Sequence, residues 1–105
     1  MCGIGGFWGR FSGEKSREIL HTLDRMLHHR GPDEGGHHLE SGAALLIRRL
    51  KIIDLVTGSQ PMASENGDII TVFNGEIYNH QDLRRGLTAR GHTFRSQSDT
   101  EVIVH

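Results

Sequence analysis

Met1-Cys2-Gly3-Ile4-Gly5-Gly6 opens the chain, and its reading decides how the rest is understood. Cys2 is the only cysteine among 105 residues. Its side chain is small, so a methionine aminopeptidase can remove Met1. The product carries a thiol and a free α-amine on one residue. A free α-amine has a reference pKa of about 7.7–8.0 and can serve as a base near neutral pH without special tuning. A nucleophile activated by its own terminal amine is a recognised arrangement. A lone cysteine without partners is instead a small, inert residue, so the remainder of the chain decides between the two.

The bulk properties are those of an ordinary globular domain. Net charge is −1, the pI is near 6.7, and 24% of residues are charged, which leaves no case for nucleic acid or an anionic membrane as partner. The length fits one domain or part of a larger one. A single cysteine excludes an internal disulfide, and a reducing, cytoplasmic setting is the default. No apolar run reaches membrane-spanning length, and the start lacks a signal-peptide pattern. Fourteen glycines point to tight turns or close backbone approaches.

Gly3 to Trp8 reads as a short strand. Ser16 is placed to cap a helix running to His28 or His29, with Ile19, Leu20, Leu23, Met26 and Leu27 at helical spacing. Gly31 and Pro32 stop it, and His28 to Asp33 form a rigid loop. His37 to Glu40 and Ala43 to Ile53 read as strands, the second interrupted by Arg48, Arg49 and Lys51. A loop from Asp54 to Met62 follows. Asn66-Gly67 is a hairpin signal, and Asp68 to Phe73 follows as a buried strand. Asn79 caps a helix from Gln81 to Ala89, ended by Gly91, and His92 to Phe94 reads as a strand. Ser98-Asp99-Thr100-Glu101 is a capping box, but only Val102 to His105 follow it. The expectation is a piece of a longer protein. With Val102 and Ile103 uncovered, it would be dimeric, aggregated or only marginally folded alone.

Five stretches now stand in order: Met1-Cys2-Gly3-Ile4, Arg30-Gly31-Pro32-Asp33, Arg49-Leu50-Lys51-Ile52-Ile53-Asp54, Asn74-Gly75-Glu76-Ile77-Tyr78-Asn79 and Ser98-Asp99-Thr100-Glu101. Together they resemble the glutaminase domain of class II glutamine amidotransferases, and within that class glutamine-dependent asparagine synthetase. The likeness covers all 105 residues but only about the first half of the family's glutaminase domain. It implies an α+β fold, the N-terminal-nucleophile four-layer αββα sandwich with antiparallel sheets, of which this chain supplies the first half. The family's ATP-using synthetase domain is absent from this sequence.

The resemblance also implies roles. Cys2 attacks the glutamine side-chain amide to form a thioester, with its own α-amine moving the proton. The Asn74 side chain and the Gly75 N–H form the oxyanion hole. Arg49 binds the substrate carboxylate, and Glu76 and Asp99 bind its ammonium. No cofactor is implied for the glutaminase half. ATP and magnesium belong to the synthetase domain, which takes the ammonia and makes asparagine from aspartate. The partners implied are glutamine and that synthetase domain, with a homodimer left open. With Met1 retained, the fragment itself is expected to be inactive. Leu46 and Ile47 replace a polar pair common in the family just before the Arg-Arg-Leu stretch, which puts the surroundings of Arg49 in question.

Other readings stand beside this one. The glutaminase half does not choose the ammonia acceptor, so phosphoribosyl pyrophosphate or fructose 6-phosphate are alternatives to aspartate. A non-catalytic regulatory or interaction fragment is another. Singly, Arg49 is a strand residue in an ion pair, Asn74-Gly75 a turn, and Asp99 a residue that favours a helix dipole. Arg30 and Asp33 are assigned to the shape of the loop over the pocket. The eight histidines lack a metal-ligand pattern, and the adjacent pair His37-His38 points to opposite faces of a strand.

Overall fold

The computed structural model describes residues 2–50 and 58–105. The expectations for Met1, for a strand continuing to Ile53 and for the start of the loop at Asp54 lie outside them. The described residues form a small α+β structure with two antiparallel sheets and two α-helices. Strands β1 (Gly3–Trp8), β2 (Glu34–Glu40) and β3 (Ala43–Arg49) make a three-stranded sheet in the order β1-β3-β2. Two short strands, β4 (Met62–Ala63) and β5 (Ile70–Thr71), make the second.

Helix α1 spans Gly13–Leu27 and covers one face of the larger sheet. Ser16, Leu20, Leu23 and Leu27 recur at the helical period and form the inward stripe. Ser16 is therefore a buried side chain within the helix and not its cap. Ser12 caps instead, its hydroxyl accepting from the Lys15 N–H at 3.1 Å. Met26, off the stripe, is 65% exposed. Leu20 packs with Ala44 and Leu46, flanked by Phe7, Leu23, Leu27 and Leu39. Removing a leucine side chain such as that of Leu46 from water contributes about 1.5–3 kcal/mol.

Strand alternation assigns the two arginines of β3 to opposite faces. Arg48 falls with Ala44 and Leu46 on the α1 face. Its guanidinium donates to the carbonyls of Gly31 (2.9 Å) and Pro32 (3.3 Å), meets His28 Nδ1 at 2.9 Å and pairs with Asp24 at 3.5 Å. The loop after α1 is thereby tied down: a short 3₁₀ turn, His28–Arg30, leads into Gly31. A Cβ on Gly31 would lie 2.2 Å from the Arg48 carbonyl carbon, so only a bare backbone fits there. Arg49, with Ile47 and Leu45, faces the other side.

The second half departs more from the sequence reading. β5 covers only Ile70–Thr71, and Ile69 is 53% exposed; the expected buried strand from Asp68 to Phe73 is short and half-covered. Its turn is built by side chains. The Ser64 hydroxyl donates to Asn66 Oδ1 and accepts from the Ile69 N–H, and Gly67 has φ +77°. Helix α2 spans His80–Ala89, starting at Asn79 without a side-chain cap bond. Gly91, at φ +100°, ends it in the left-handed region that suits glycine. His92 to Phe94 are not a strand; the His92 N–H donates to the Leu87 carbonyl at 3.1 Å, and the Thr93 N–H to a side chain, the Glu65 carboxylate.

Glu65 and Glu101 organise this segment. The Glu65 carboxylate accepts from the Thr93 N–H at 2.9 Å and faces His92 Nδ1 and His105 Nδ1, each at 3.0 Å. Glu101, 5% exposed, accepts from the N–H groups of Arg95 and Ser96, both at 2.7 Å, and from the Ser96 hydroxyl at 2.5 Å. The expected capping box is thus rearranged. Ser98 accepts from the Thr100 N–H, and Glu101 reaches past it to Arg95 and Ser96. The turn that follows is a 3₁₀ helix, Asp99–Ile103. Val104 is buried, Val102 is half-buried and Ile103 is exposed.

These carboxylates give the fold an acid limit. The Thr93 amide, aided by His92 and His105, holds Glu65 down from its ordinary 4.5 to about 2. At Glu101 burial pushes the pKa up, but the bonds from Ser96, Arg95 and His105 outweigh it and the net shift is downward. A carboxylate with a depressed folded pKa stabilises the fold above its unfolded value and loses that contribution as pH falls toward the folded one. We expect the urea midpoint to drop between pH 4.5 and about 2, and Glu65→Gln to flatten the decline. A midpoint unchanged across that interval would contradict the assignment.

Candidate active site

Continuing the β1–β3 register, in which Gly3 pairs with Arg48, places Cys2 opposite Arg49. Alternation then directs both side chains away from α1. Here the larger sheet meets the Phe73–Gly75 segment and the 98–100 turn. Cys2, Arg49, Gln60, Phe73, Asn74, Gly75, Ser98, Asp99 and Thr100 line one recess of about 140 Å³. Five of the six residues singled out in the sequence come together there. The sixth, Glu76, is exposed beside Gly75 and outside the lining. Arg30 and Asp33 are also outside it; the Asp33 N–H donates to the Arg49 carbonyl at 3.2 Å and so braces the backbone of that residue.

Each polar group has a defined partner and a remaining capacity. Asn74 Nδ2 donates to the Cys2 carbonyl at 3.2 Å. A primary amide has two N–H groups, so one is left for another acceptor. Asp99 Oδ2 accepts from the Ile77 N–H at 2.8 Å, and its other oxygen has no hydrogen-bond partner among the described residues. Asp99 is thus bonded to the loop that follows Gly75, a use the helix-dipole reading did not foresee. Arg49 Nη1 donates to the Gly58 carbonyl at 2.8 Å and to Glu34 Oε2 at 3.2 Å, its cross-strand neighbour in the β2–β3 register. The ion-pair reading of Arg49 is therefore correct as far as it goes, and the residue also lines the recess. Leu46 and Ile47 are core residues, 1% and 0% exposed, while Arg49 takes its support from Glu34 and Gly58.

Sequence reasoning left Gln60, Phe73, Ser98 and Thr100 out of the site, although Ser98 and Thr100 belong to one of the five quoted stretches. The available signal was an amide side chain next to Pro61, because proline gives no N–H to a ladder and a half-buried amide needs partners. It also missed Glu65, His92 and His105, whose ligand-type atoms lie within 4.8 Å of one another. They form the carboxylate–imidazole network described above, apart from the recess. As expected, His37 and His38 face opposite sides of the sheet, His37 beside α1 and His38 beside Leu45 and Trp8.

A terminal-proximal thiol, an amide loop, an arginine and a carboxylate around one recess define a site suited to amide chemistry on an amino-acid-like molecule. The family described as "Glutamine amidotransferase domain" matches residues 1–105, and the chain belongs to it. Its relatives carry that family name further. It is 40% identical over 108 residues to "Asparagine synthetase [glutamine-hydrolyzing] 2" of Bacillus subtilis (strain 168), covering 100% of this chain and 14% of the relative. It is 45% identical over 106 residues to "Asparagine synthetase [glutamine-hydrolyzing]" of Sandersonia aurantiaca, covering 100% and 20%. It is 42% identical over 106 residues to the root enzyme of Pisum sativum, "Asparagine synthetase, root [glutamine-hydrolyzing]", covering 100% and 18%. The chain thus spans a fifth or less of the length of these curated relatives.

Proposed function

We propose that this domain hydrolyses glutamine and supplies ammonia to a synthetase domain that makes asparagine. The observation that carries the proposal is the meeting of Cys2, Arg49, Asn74, Gly75 and Asp99 at one recess. After removal of Met1, the α-amine of Cys2 takes the thiol proton. The sulfur attacks the carboxamide carbon, and the carbonyl electrons move onto oxygen. The second Asn74 N–H and the Gly75 N–H stabilise that oxyanion, the role for which fixed donors are most effective. Collapse expels ammonia, which takes its proton from the same amine, and leaves a thioester. Water, activated by the amine, then cleaves the thioester, releasing glutamate and restoring the thiol.

Substrate grip falls to the charged groups. The Arg49 guanidinium binds the α-carboxylate through two parallel N–H groups, and Asp99, with Glu76, receives the ammonium. The acceptor is taken as aspartate rather than phosphoribosyl pyrophosphate or fructose 6-phosphate, since the relatives named above are asparagine synthetases. ATP and magnesium would belong to that synthetase part, and a cytoplasmic setting suits the free thiol. No helix among the described residues is long and apolar enough to cross a membrane.

The same reading extends the fold to the four-layer αββα sandwich. Helix α1 covers one face of the larger sheet. On the other, Trp8 and Leu45 meet Ile69 and Ile70 around an open recess of about 630 Å³, and Ile4 is 49% exposed. That apolar face is where the remaining strands of the sandwich would pack.

Arg49→Lys tests the substrate assignment. It keeps the charge and loses the planar fork. Losing one of two charge-assisted bonds raises the KM for glutamine by about 10–100-fold, with ammonia-dependent synthesis in the complete protein unchanged. Equal loss of both activities would make Arg49 a fold residue, paired with Glu34, and not a substrate ligand.

A further inference from the structure

We propose that Gln60 is the positioning residue of the oxyanion loop; this rests on the glutaminase reading above. The β4–β5 register pairs Met62 with Thr71. Continued outward, it sets Gln60 opposite Phe73, the residue just before Asn74-Gly75. The Gln60 backbone is not free to complete that pair. Its carbonyl is turned to β2, where a Cβ on Gly36 would sit 2.0 Å from it. The side chain makes the pair instead. Gln60 Oε1 accepts from the Phe73 N–H at 2.6 Å, and Gln60 Nε2 donates to the Phe73 carbonyl at 3.1 Å.

A primary amide presents a donor and an acceptor in one plane, as a peptide unit does. Gln60 therefore holds Phe73 as a neighbouring strand would, with both bonds of a hydrogen-bonded antiparallel pair. Nε2 also lies 3.4 Å from Oγ1 of Thr100, which is 3% exposed. One residue thus joins three parts of the fold: its backbone carbonyl lies against Gly36 of the larger sheet, and its side chain bridges the end of the β5 segment and the turn that carries Asp99. Among the described residues the loop beyond Phe73 has little other restraint at its start: Asn74 is exposed, and its side chain makes one bond, to the Cys2 carbonyl. The clamp fixes the point from which Asn74 and Gly75 project their donors. Displacing such donors by about 1 Å can cost about 100-fold in rate.

Gln60→Glu isolates the effect. Ionised glutamate keeps the acceptor for the Phe73 N–H and sets a negative oxygen against the Phe73 carbonyl. Protonated, it regains one donor. In the complete protein with Met1 removed, we expect kcat for glutamate release to fall about 100-fold near pH 8, with KM changed less than about threefold. The ratio of variant to wild-type kcat should rise as the pH is lowered toward about 5 and the new carboxyl begins to protonate. A wild-type rate near pH 8 overturns the proposal, and so does a ratio that stays flat while the melting temperature falls. Hydrogen exchange in the wild-type protein supplies a readout that needs no variant. The Phe73 amide should be protected like a ladder amide although it lies beyond β5; exchange at the rate of an open loop also overturns the clamp. If the wild-type protein releases no glutamate, the glutaminase reading itself fails and the inference falls with it. An active wild type beside an unimpaired Gln60→Glu removes the inference alone.

Discussion

Cys2→Ala is expected to lower glutamate release by about 10⁴-fold or more and to leave nothing that an electrophilic glutamine analogue can label, however the terminus is processed. The variant isolates the thiol, because Cys2 contributes little to packing: it is half-exposed, and its noted bond uses its carbonyl. A companion experiment isolates the amine. With Met1 forcibly retained, the Cys2 nitrogen is an amide and has no basic lone pair. Losing a positioned general base costs about 10²–10⁴-fold, so the retained form should be far slower while its thiol is intact. Intact mass must confirm the terminus in each sample. Equal rates with and without Met1 would show that the terminal amine is not the base. Normal turnover by Cys2→Ala would show that the thiol is not the nucleophile.

Asn74→Ala is expected to lower kcat by about 10²–10³-fold, the usual result of removing one oxyanion donor, or about 2.7–4 kcal/mol. Glutamine binding should change much less. The structure supplies the competing effect and its size. Asn74 also bonds the Cys2 carbonyl at 3.2 Å in an exposed position, and a neutral bond of that kind is worth about 0.5–1.5 kcal/mol net. Loss of that bond alone would give a decrease of about tenfold or less. Turnover within a few-fold of wild type would leave Asn74 as a turn residue.

The legible parts of the chain were those governed by periodicity. β1 has the predicted limits, and the Leu20, Leu23, Leu27 stripe packs as its spacing requires. Alternation in β3 even separates Arg48, which clamps the 28–32 loop, from Arg49, which enters the recess. Cap assignment failed at Ser16 because a serine on a buried stripe and a serine at a helix start look alike until the packing face is known. The Asp68–Phe73 expectation failed because an apolar run says nothing about how much neighbouring strand is available to cover it. The 92–101 region was illegible for a different reason. Its order comes from two carboxylates, Glu65 and Glu101, bonded to amides as many as 28 residues away in sequence. Gln60 escaped notice similarly, since a side chain standing in for a backbone pair has no periodic signature.

Trp8 is the only tryptophan in the sequence, and it is 86% exposed on the face of the sheet away from α1. The molecule therefore carries one built-in fluorophore at the place where its architecture is open. An indole in water emits at longer wavelength than one enclosed by hydrocarbon. Any segment that seats on this face should shift the emission to the blue and slow its quenching by iodide. Events at α1, α2 or the carboxylate network, which lie elsewhere, would leave the colour unchanged. Covering of that face can thus be followed optically, in a titration, without attaching a label.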